Sequence, residues 1–388
     1  MPARPPSERH ERLPPQPEPG ASPVPLRWRL AEEDESDRLF PDNSIVERRI
    51  GAGEYRGLEF LHVNARTVIN RVPPASKVPF RFTINAYRGC SHACTYCFAR
   101  PTHAYLGLGI GEDFERRIVV KVNAVERVRA ELRSPRWRGD RIAMGTNTDP
   151  YQKAEGRYHL TRGIVQALGE AGNPFSILTK STLVLRDLDL LTAAASKAEV
   201  RLSFSIGTLD RDVWRLTEPG TPPPDKRVEA VRRVAAAGIS CSVLVAPILP
   251  GLSDAPEQIE EVVEACTAAG AVSVSPIVLH LRPGVRQHYL GWLSSARPDL
   301  AGLYAERFRR GSYQPDAEHE RTTAIVRTAL ERSGAAGQPA GSRPGGSAGA
   351  VRGVGTTGHE RPGSGGVAAR SPAARRVAMP VAEQLRLL

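Results

Sequence analysis

Long apolar runs are missing from this 388-residue chain. No stretch approaches the roughly 20 apolar residues that a bilayer-spanning helix needs. The N-terminus, Met-Pro-Ala-Arg-Pro-Pro followed by acidic residues, holds no apolar core of a secretory signal. A cytoplasmic protein with no membrane partner is therefore expected. Cysteine is scarce, five in all: Cys90, Cys94 and Cys97 stand together, whereas Cys241 and Cys266 lie apart in apolar or helical surroundings. An odd, clustered set is a poor disulfide framework and suits metal chemistry in a reducing compartment. An acidic excess is also lacking, since 53 Lys and Arg oppose 42 Asp and Glu for a formal net charge of +11. Residues 1–47 carry six Arg against ten Asp and Glu, so the basic excess falls on the rest of the chain. Clustered Lys and Arg attract phosphate backbones, which makes nucleic acid a candidate partner; an arginine-rich solvated surface is the competing reading.

Composition divides the chain in three. Residues 1–47 are rich in Pro, Glu and Arg without periodicity, and 334–388 are a Gly, Ala, Pro, Ser and Arg tract. Neither buries enough apolar surface to offset ordering entropy, so both are expected to be disordered tails. Residues 48–333 alternate short β-branched runs with stretches of helical period. The strands expected are Phe82–Tyr87, Arg141–Gly145, Phe175–Thr179, Val200–Ile206, Ser242–Ala246 and Ala271–Leu279. Helices are expected over Val122–Leu132, Thr161–Ala171, Leu185–Ala195, Asp225–Ala237 and Pro256–Ala269, with a helical extension beyond. Such alternation implies an α/β fold of βαβ units around a parallel sheet, a partial or full barrel whose chemistry collects in the loops after the strands.

The first of these strands runs into Tyr87-Arg-Gly-Cys90-Ser-His-Ala-Cys94-Thr-Tyr-Cys97-Phe98. Spacings of four and three put Cys90, Cys94 and Cys97 on one loop able to wrap an iron–sulfur cubane as thiolates. Three ligands leave one iron of a [4Fe–4S] cluster open for another molecule. A structural zinc on the same cysteines, in a non-catalytic nucleic-acid-binding protein, is the alternative. It needs a fourth ligand, for which His92 and His103 are candidates. Simple packing of buried thiols is a third reading, disfavoured by the Gly, Ser and Thr around them.

With its aromatic Tyr96, the Cys-x3-Cys-x-aromatic-Cys motif resembles the radical S-adenosylmethionine superfamily, and the longer text resembles its spore photoproduct lyase-like branch, often labelled DNA repair photolyase-like. The matching segments are Arg88-Gly-Cys90 through Arg100-Pro-Thr-His103, Gly145-Thr-Asn-Thr-Asp149-Pro-Tyr-Gln152, Thr161-Arg-Gly163, Leu178-Thr-Lys180-Ser181, Leu185-Arg-Asp-Leu-Asp-Leu190 and Val245-Ala-Pro-Ile-Leu-Pro250-Gly251. The resemblance covers about residues 80 to 310. The resemblance implies a partial (β/α)6-type TIM barrel of the radical S-adenosylmethionine kind. It also implies a [4Fe–4S] cluster, S-adenosyl-L-methionine as cofactor, and an electron donor of flavodoxin or ferredoxin type. An electron passed into the sulfonium would break a C–S bond and give a 5′-deoxyadenosyl radical. The photoproduct lyase uses a further cysteine, after the second strand, as hydrogen donor. The loop here, Gly145 to Asp149, has no thiol, so the substrate is left unassigned.

The resemblance makes Asn147, Thr148 and Asp149, with Gly145 and Thr146 beside them, candidates for the methionine part of the cofactor, with a plain polar turn as the competing reading. Lys180 is a candidate partner for the cofactor carboxylate, Ser203 and Ser205 for its ribose, and Tyr96 for its adenine side. A surface lysine and core hydroxyls are the respective alternatives. Gly107-Leu-Gly109-Ile-Gly111 matches neither a dinucleotide fingerprint nor a Walker loop and reads as a flexible loop near the cluster. Arg100 and His103 are open to substrate contact or to structural hydrogen bonding. Cys241 and Cys266 read as packing residues, with nothing nearby to lower their pKa.

Overall fold

Runs of β-branched and aromatic residues form eleven strands among the residues that the computed structural model describes, 45–334 apart from 74, 75 and 77. In chain order these are β1 (Glu47–Ile50), β2 (Glu59–Val63), β3 (Ile69–Arg71), β4 (Phe82–Ile84), β5 (Tyr87–Arg88), β6 (Arg117–Lys121), β7 (Ile142–Met144), β8 (Phe175–Thr179), β9 (Val200–Ser205), β10 (Ser240–Ile248) and β11 (Ser273–Val278). The main sheet has the order β11-β10-β9-β8-β7-β4-β3. Its six strands from β4 to β11 pair in parallel, and β3 closes one edge antiparallel to β4. Sequential parallel neighbours joined by helices are the signature of a β/α barrel, here left open between β3 and β11. The expected partial (β/α)6 architecture is thus the one formed.

The crossover helices are those the periodicity marks: Ala124–Leu132, Leu160–Glu170, Leu188–Ala195, Pro224–Ala236 and Pro256–Ala268. Each turns an apolar stripe onto the sheet; Leu160, Ile164, Val165 and Leu168 are the buried stripe of the second. They meet Ile142, Phe175, Leu202, Phe204, Val243 and Val245 in one continuous core. Helices Val285–Ala296 and Asp316–Arg332 supply the extension. A second core of Leu249, Leu281, Val285, Tyr289, Leu293, Tyr304 and Phe308 forms there and reaches Cys94 and Tyr96.

Three local expectations need correction. Strand Phe82–Tyr87 is two strands, because after Ile84 the chain leaves the main sheet and Tyr87–Arg88 pairs antiparallel with Val119–Val120 of β6. That pairing belongs to a second, four-stranded sheet, β1-β2-β6-β5. Helix Leu185–Ala195 begins only at Leu188, since Ser181 accepts a hydrogen bond from the Leu183 amide and opens a 3-10 turn over Thr182–Asp187. Finally, Ile45, Val46 and Glu47, placed in the N-terminal tail by composition, belong to the fold: Ile45 is buried and β1 starts at Glu47. The remaining tail residues, apart from Gly334, lie outside the described ones.

Candidate active site

Gly89 leads into the cysteine loop, which is gripped from three sides. The Thr148 hydroxyl and the Gln152 amide both donate to the Gly89 carbonyl, at 2.6 and 2.9 Å, and Gln152 Oε1 accepts from the Ser91 amide at 3.0 Å. Beneath the loop, Arg100 is fully buried and donates to the Cys94 carbonyl at 2.9 and 3.1 Å, to the carbonyls of Ile110 and Gly111, and to Glu115. On the third side the segment after helix Arg211–Thr217 runs against the loop, with Thr95 N donating to Thr217 O and Gly220 N to His92 O, both at 3.0 Å. A side chain at 220 has no room there, because its Cβ would stand 2.2 Å from the Ser91 carbonyl oxygen.

So held, Cys90, Cys94 and Cys97 line one wall of a cavity of about 230 Å³. The opposite wall is made of strand ends: Gly145 to Asp149 after β7, Leu178 to Lys180 at the end of β8, Ser205 of β9, Ala246 and Pro247 of β10, and Ile277 to His280 at and just after the end of β11. This is the carboxyl face of the sheet, where β/α barrels place their chemistry. Gly145 is obligatory at the first of these turns. Its φ is +86°, and a Cβ would lie 1.9 Å from the Leu178 carbonyl oxygen.

The expected residues are not equally placed. Tyr96, Asn147, Thr148, Asp149, Lys180 and Ser205 all line the cavity. Ser203 does not; it sits one pleat further from the end of β9, opposite Leu178 and Ser242 in the neighbouring strands. The Asp149 carboxylate is already engaged by Tyr151 N, the Thr179 hydroxyl, Lys180 N and His92 Nδ1 at 2.9, 2.7, 2.7 and 3.4 Å. Burial works against its charge, but His92 together with the hydrogen bonds from Lys180 N and Thr179 offsets this and holds the carboxyl below its ordinary value. Arg100 and His103 resolve to structural roles. His103 is fully buried and bonded to the Arg117 carbonyl at 2.9 Å, and burial pushes its pKa down to about 4. The glycine-rich loop at 107–111 is tied to the cluster loop through Arg100, and Gly109 N donates to Asp113 at 2.7 Å, so it does not hang free. Cys241 and Cys266 are completely buried, and burial raises both to about 12.

One residue central to the site carries no recognisable motif. Glu218 follows helix Arg211–Thr217 and is 5 % exposed. It accepts from the Tyr96 phenol and from Arg227, and lies 3.2 Å from Lys180 Nζ. Burial opposes its charge, yet Arg227 and Lys180 prevail and hold its pKa at about 2. Lys180 also donates to Ser205 Oγ and to the Ala246 carbonyl, and its ammonium stands 5.7 Å over the Tyr96 ring. The only hint in the text was Glu218-Pro-Gly220-Thr221 beside the buried Arg227, a pattern legible only once both are seen inside.

The donor set fits a cluster. The three thiols share a wall with polar groups facing them, and burial raises Cys94 well above its ordinary range and Cys97 to about 11. Such thiols ligate only as thiolates, so binding a cationic guest must release their protons to solvent. Among the described residues no three His, Cys, Asp or Glu close on a single-ion position. Three thiols from one loop are the donor set of an iron–sulfur cluster with one open iron, whereas a structural zinc takes four protein ligands. His103, one candidate fourth zinc ligand, is occupied behind the loop.

Comparison with known proteins agrees. The Radical SAM superfamily pattern matches residues 84–266. An uncharacterised protein of Mycobacterium tuberculosis (strain ATCC 25618 / H37Rv) is 46% identical over 273 residues, 70% of this chain and 80% of the relative. Spore photoproduct lyase of Bacillus subtilis (strain 168) is 28% identical over 176 residues, 45% of this chain and 47% of the enzyme. A solved spore photoproduct lyase complexed with dinucleoside spore photoproduct superposes with a TM-score of 0.54 at 22% identity, covering 70% of this chain and 79% of that one, a likeness of fold. No described helix is long and apolar enough to cross a membrane.

Proposed function

Because the chain belongs to the radical SAM superfamily, whose members use a [4Fe–4S] cluster and S-adenosylmethionine, we propose that Cys90, Cys94 and Cys97 hold that cluster and that the facing strand ends hold the cofactor for reductive cleavage. When bound, the pair would supply one electron and a cleavable C5′–S bond as the source of radical chemistry on the substrate. The observation that carries this reading is the single cavity shared by the three thiols and the six polar or aromatic residues Tyr96, Asn147, Thr148, Asp149, Lys180 and Ser205.

The chain's own residues then do distinct things. Lys180 offers a cation at the end of β8 for the cofactor carboxylate, pre-positioned by Ser205 and Glu218. Ser205 sits at the end of β9 where a ribose hydroxyl could reach it; Ser203 is too far down the strand. Tyr96 is fixed by Glu218 and turns a ring face to Lys180, a wall for the adenine side. Asn147, Thr148 and Asp149 follow β7 and border the methionine end, Thr148 and Asp149 chiefly by holding the cysteine loop and Lys180 N in place. The substrate we favour is nucleic acid, on the basic balance of the chain, with electrons from a flavodoxin- or ferredoxin-type protein in the cytoplasm. Spore photoproduct repair itself is disfavoured, because the thiols lining the cavity are the three assigned to the cluster.

Anaerobic reconstitution followed by dithionite and S-adenosylmethionine tests the reading. We expect a brown protein with about four irons per chain and 5′-deoxyadenosine as product, with neither in Cys94→Ala. A colourless protein with one zinc would replace this reading with the structural one.

A further inference from the structure

Beside the cluster wall, three rings stand in a row. Phe98 follows Cys97 directly and is 46% exposed at the cavity edge. Its ring centroid lies 6.2 Å from that of His280, which lies 5.8 Å from Tyr313, the latter pair stacked at 27°. The middle ring is half-buried, while the outer two are exposed, Tyr313 at 63%. The row is built and not accidental: Leu281 N donates to Ser312 O at 2.8 Å, the Gln314 amide to Leu279 O at 3.1 Å and Arg286 to Gly311 O at 3.3 Å. These bonds pin the segment carrying Tyr313 to the strand end that carries His280. Burial, with Arg282 nearby, lowers His280 below its ordinary value and so favours the neutral ring.

Exposed large apolar rings next to a reaction cavity cost solvation unless something covers them. We propose that Phe98, His280 and Tyr313 form a stacking platform for unpaired bases of a single-stranded nucleic acid, feeding one base towards the cavity. A base has two π-faces and stacks on aromatic side chains without regard to sequence. Arg282 and Arg310, both exposed, flank the His280 and Tyr313 segments in sequence and supply the charge that a phosphate backbone requires, with Arg309 beside them ion-paired to Glu306 at 3.6 Å. A duplex, whose bases are already stacked, gains nothing from the rings. This inference rests on the radical reading of the cavity for what happens to the base.

Fluorescence anisotropy with a short labelled oligothymidylate, and with an abasic oligomer of equal length, separates stacking from charge. The full-length protein should bind the base-bearing strand roughly five- to a hundredfold more tightly, as one stacked base would give. Tyr313→Ala should remove about tenfold of that preference and leave the abasic strand unaffected, with Tyr313→Phe restoring it. Equal affinity for both strands, or an equal loss for both in Tyr313→Ala, would overturn the platform. So would displacement of the strand by an aromatic-rich peptide at lower concentration than by unlabelled oligothymidylate. Formation of 5′-deoxyadenosine by the same preparation is scored separately. A protein that makes it but binds both strands alike loses the platform alone; one that discriminates but makes none loses the radical reading.

Discussion

The phenol of Tyr96 donates a hydrogen bond to the carboxylate of Glu218, which lies 122 residues further along the chain. The contact ties the cysteine loop to the connection between helices Arg211–Thr217 and Pro224–Ala236. Arg227, 1% exposed, closes the other side of the same carboxylate and also donates to the Thr221 hydroxyl and the Ser205 carbonyl. The wall of the cavity is thus a buried polar network whose members satisfy one another, the arrangement in which low dielectric strengthens every bond.

A buried ion pair is weak evidence for stability but costly to break on one side only. Arg227→Met should therefore lower the unfolding free energy by about 3–5 kcal/mol, because Glu218 keeps its burial and loses its main counter-charge. The double variant Glu218→Gln with Arg227→Met should lose less than the sum of the single changes, by at least about 1 kcal/mol. Urea unfolding of the four proteins gives the cycle, and strict additivity would show that the pair does not act as a unit.

Gly220 tests the contact between the same segment and the cysteine loop. Gly220→Ala drives a methyl group against Ser91 O and the backbone of His92, so the loop must shift. Iron content after anaerobic reconstitution should fall by half or more while far-ultraviolet circular dichroism stays native. Gly291, inside helix Val285–Ala296 with open space around its Cβ position, is the counterpart. Gly291→Ala should keep its iron and gain about 0.5–1 kcal/mol of stability.

The lysine at the end of β8 is expected to act on cofactor binding rather than on the cluster. Lys180→Met leaves all three thiols untouched and removes one charge-assisted contact, worth about 1.5–3 kcal/mol. The prediction is normal iron content with a roughly 10- to 100-fold weaker response of the reduced cluster's paramagnetic resonance spectrum to added S-adenosylmethionine. Unchanged affinity would place the cofactor carboxylate elsewhere.

The parallel strands and their helices were legible because period and turn chemistry report local structure directly. Phe175–Thr179 is the strand expected, and Pro256–Ala268 differs from its expectation by a single residue. The small sheet was not legible. Glu47–Ile50 is exposed along its whole length, and Tyr87–Arg88 is too short to carry a period, so neither announces its partner. The cysteine wall could be read from spacing, since ligand count is local in sequence. Glu218 could not, because what makes it part of the site is a fold that brings Tyr96, Lys180 and Arg227 around it. Thr148 shows a related limit: its residue type invites a cofactor contact, while its hydroxyl donates to Gly89 O.

Lys121, at the end of β6, is 1% exposed, and burial together with the neighbouring Arg88 lowers its pKa from 10.5 to about 7. The sign of the consequence is fixed. Between pH 7 and 10.5 the unfolded chain holds a proton on this lysine that the folded chain has largely released, so folding releases protons and stability rises with pH. From pH 7 to pH 9 this single group should add about 2 kcal/mol to the unfolding free energy. Lys121→Met keeps the volume and removes the titration. Relative to wild type it should be more stable at pH 7, with an advantage that shrinks by about that amount at pH 9. Urea midpoints of the two proteins at both pH values provide the check. An advantage independent of pH would mean that the folded protein keeps Lys121 charged, held by Glu131, whose carboxylate accepts from Val68 N and Ile69 N at 2.9 Å.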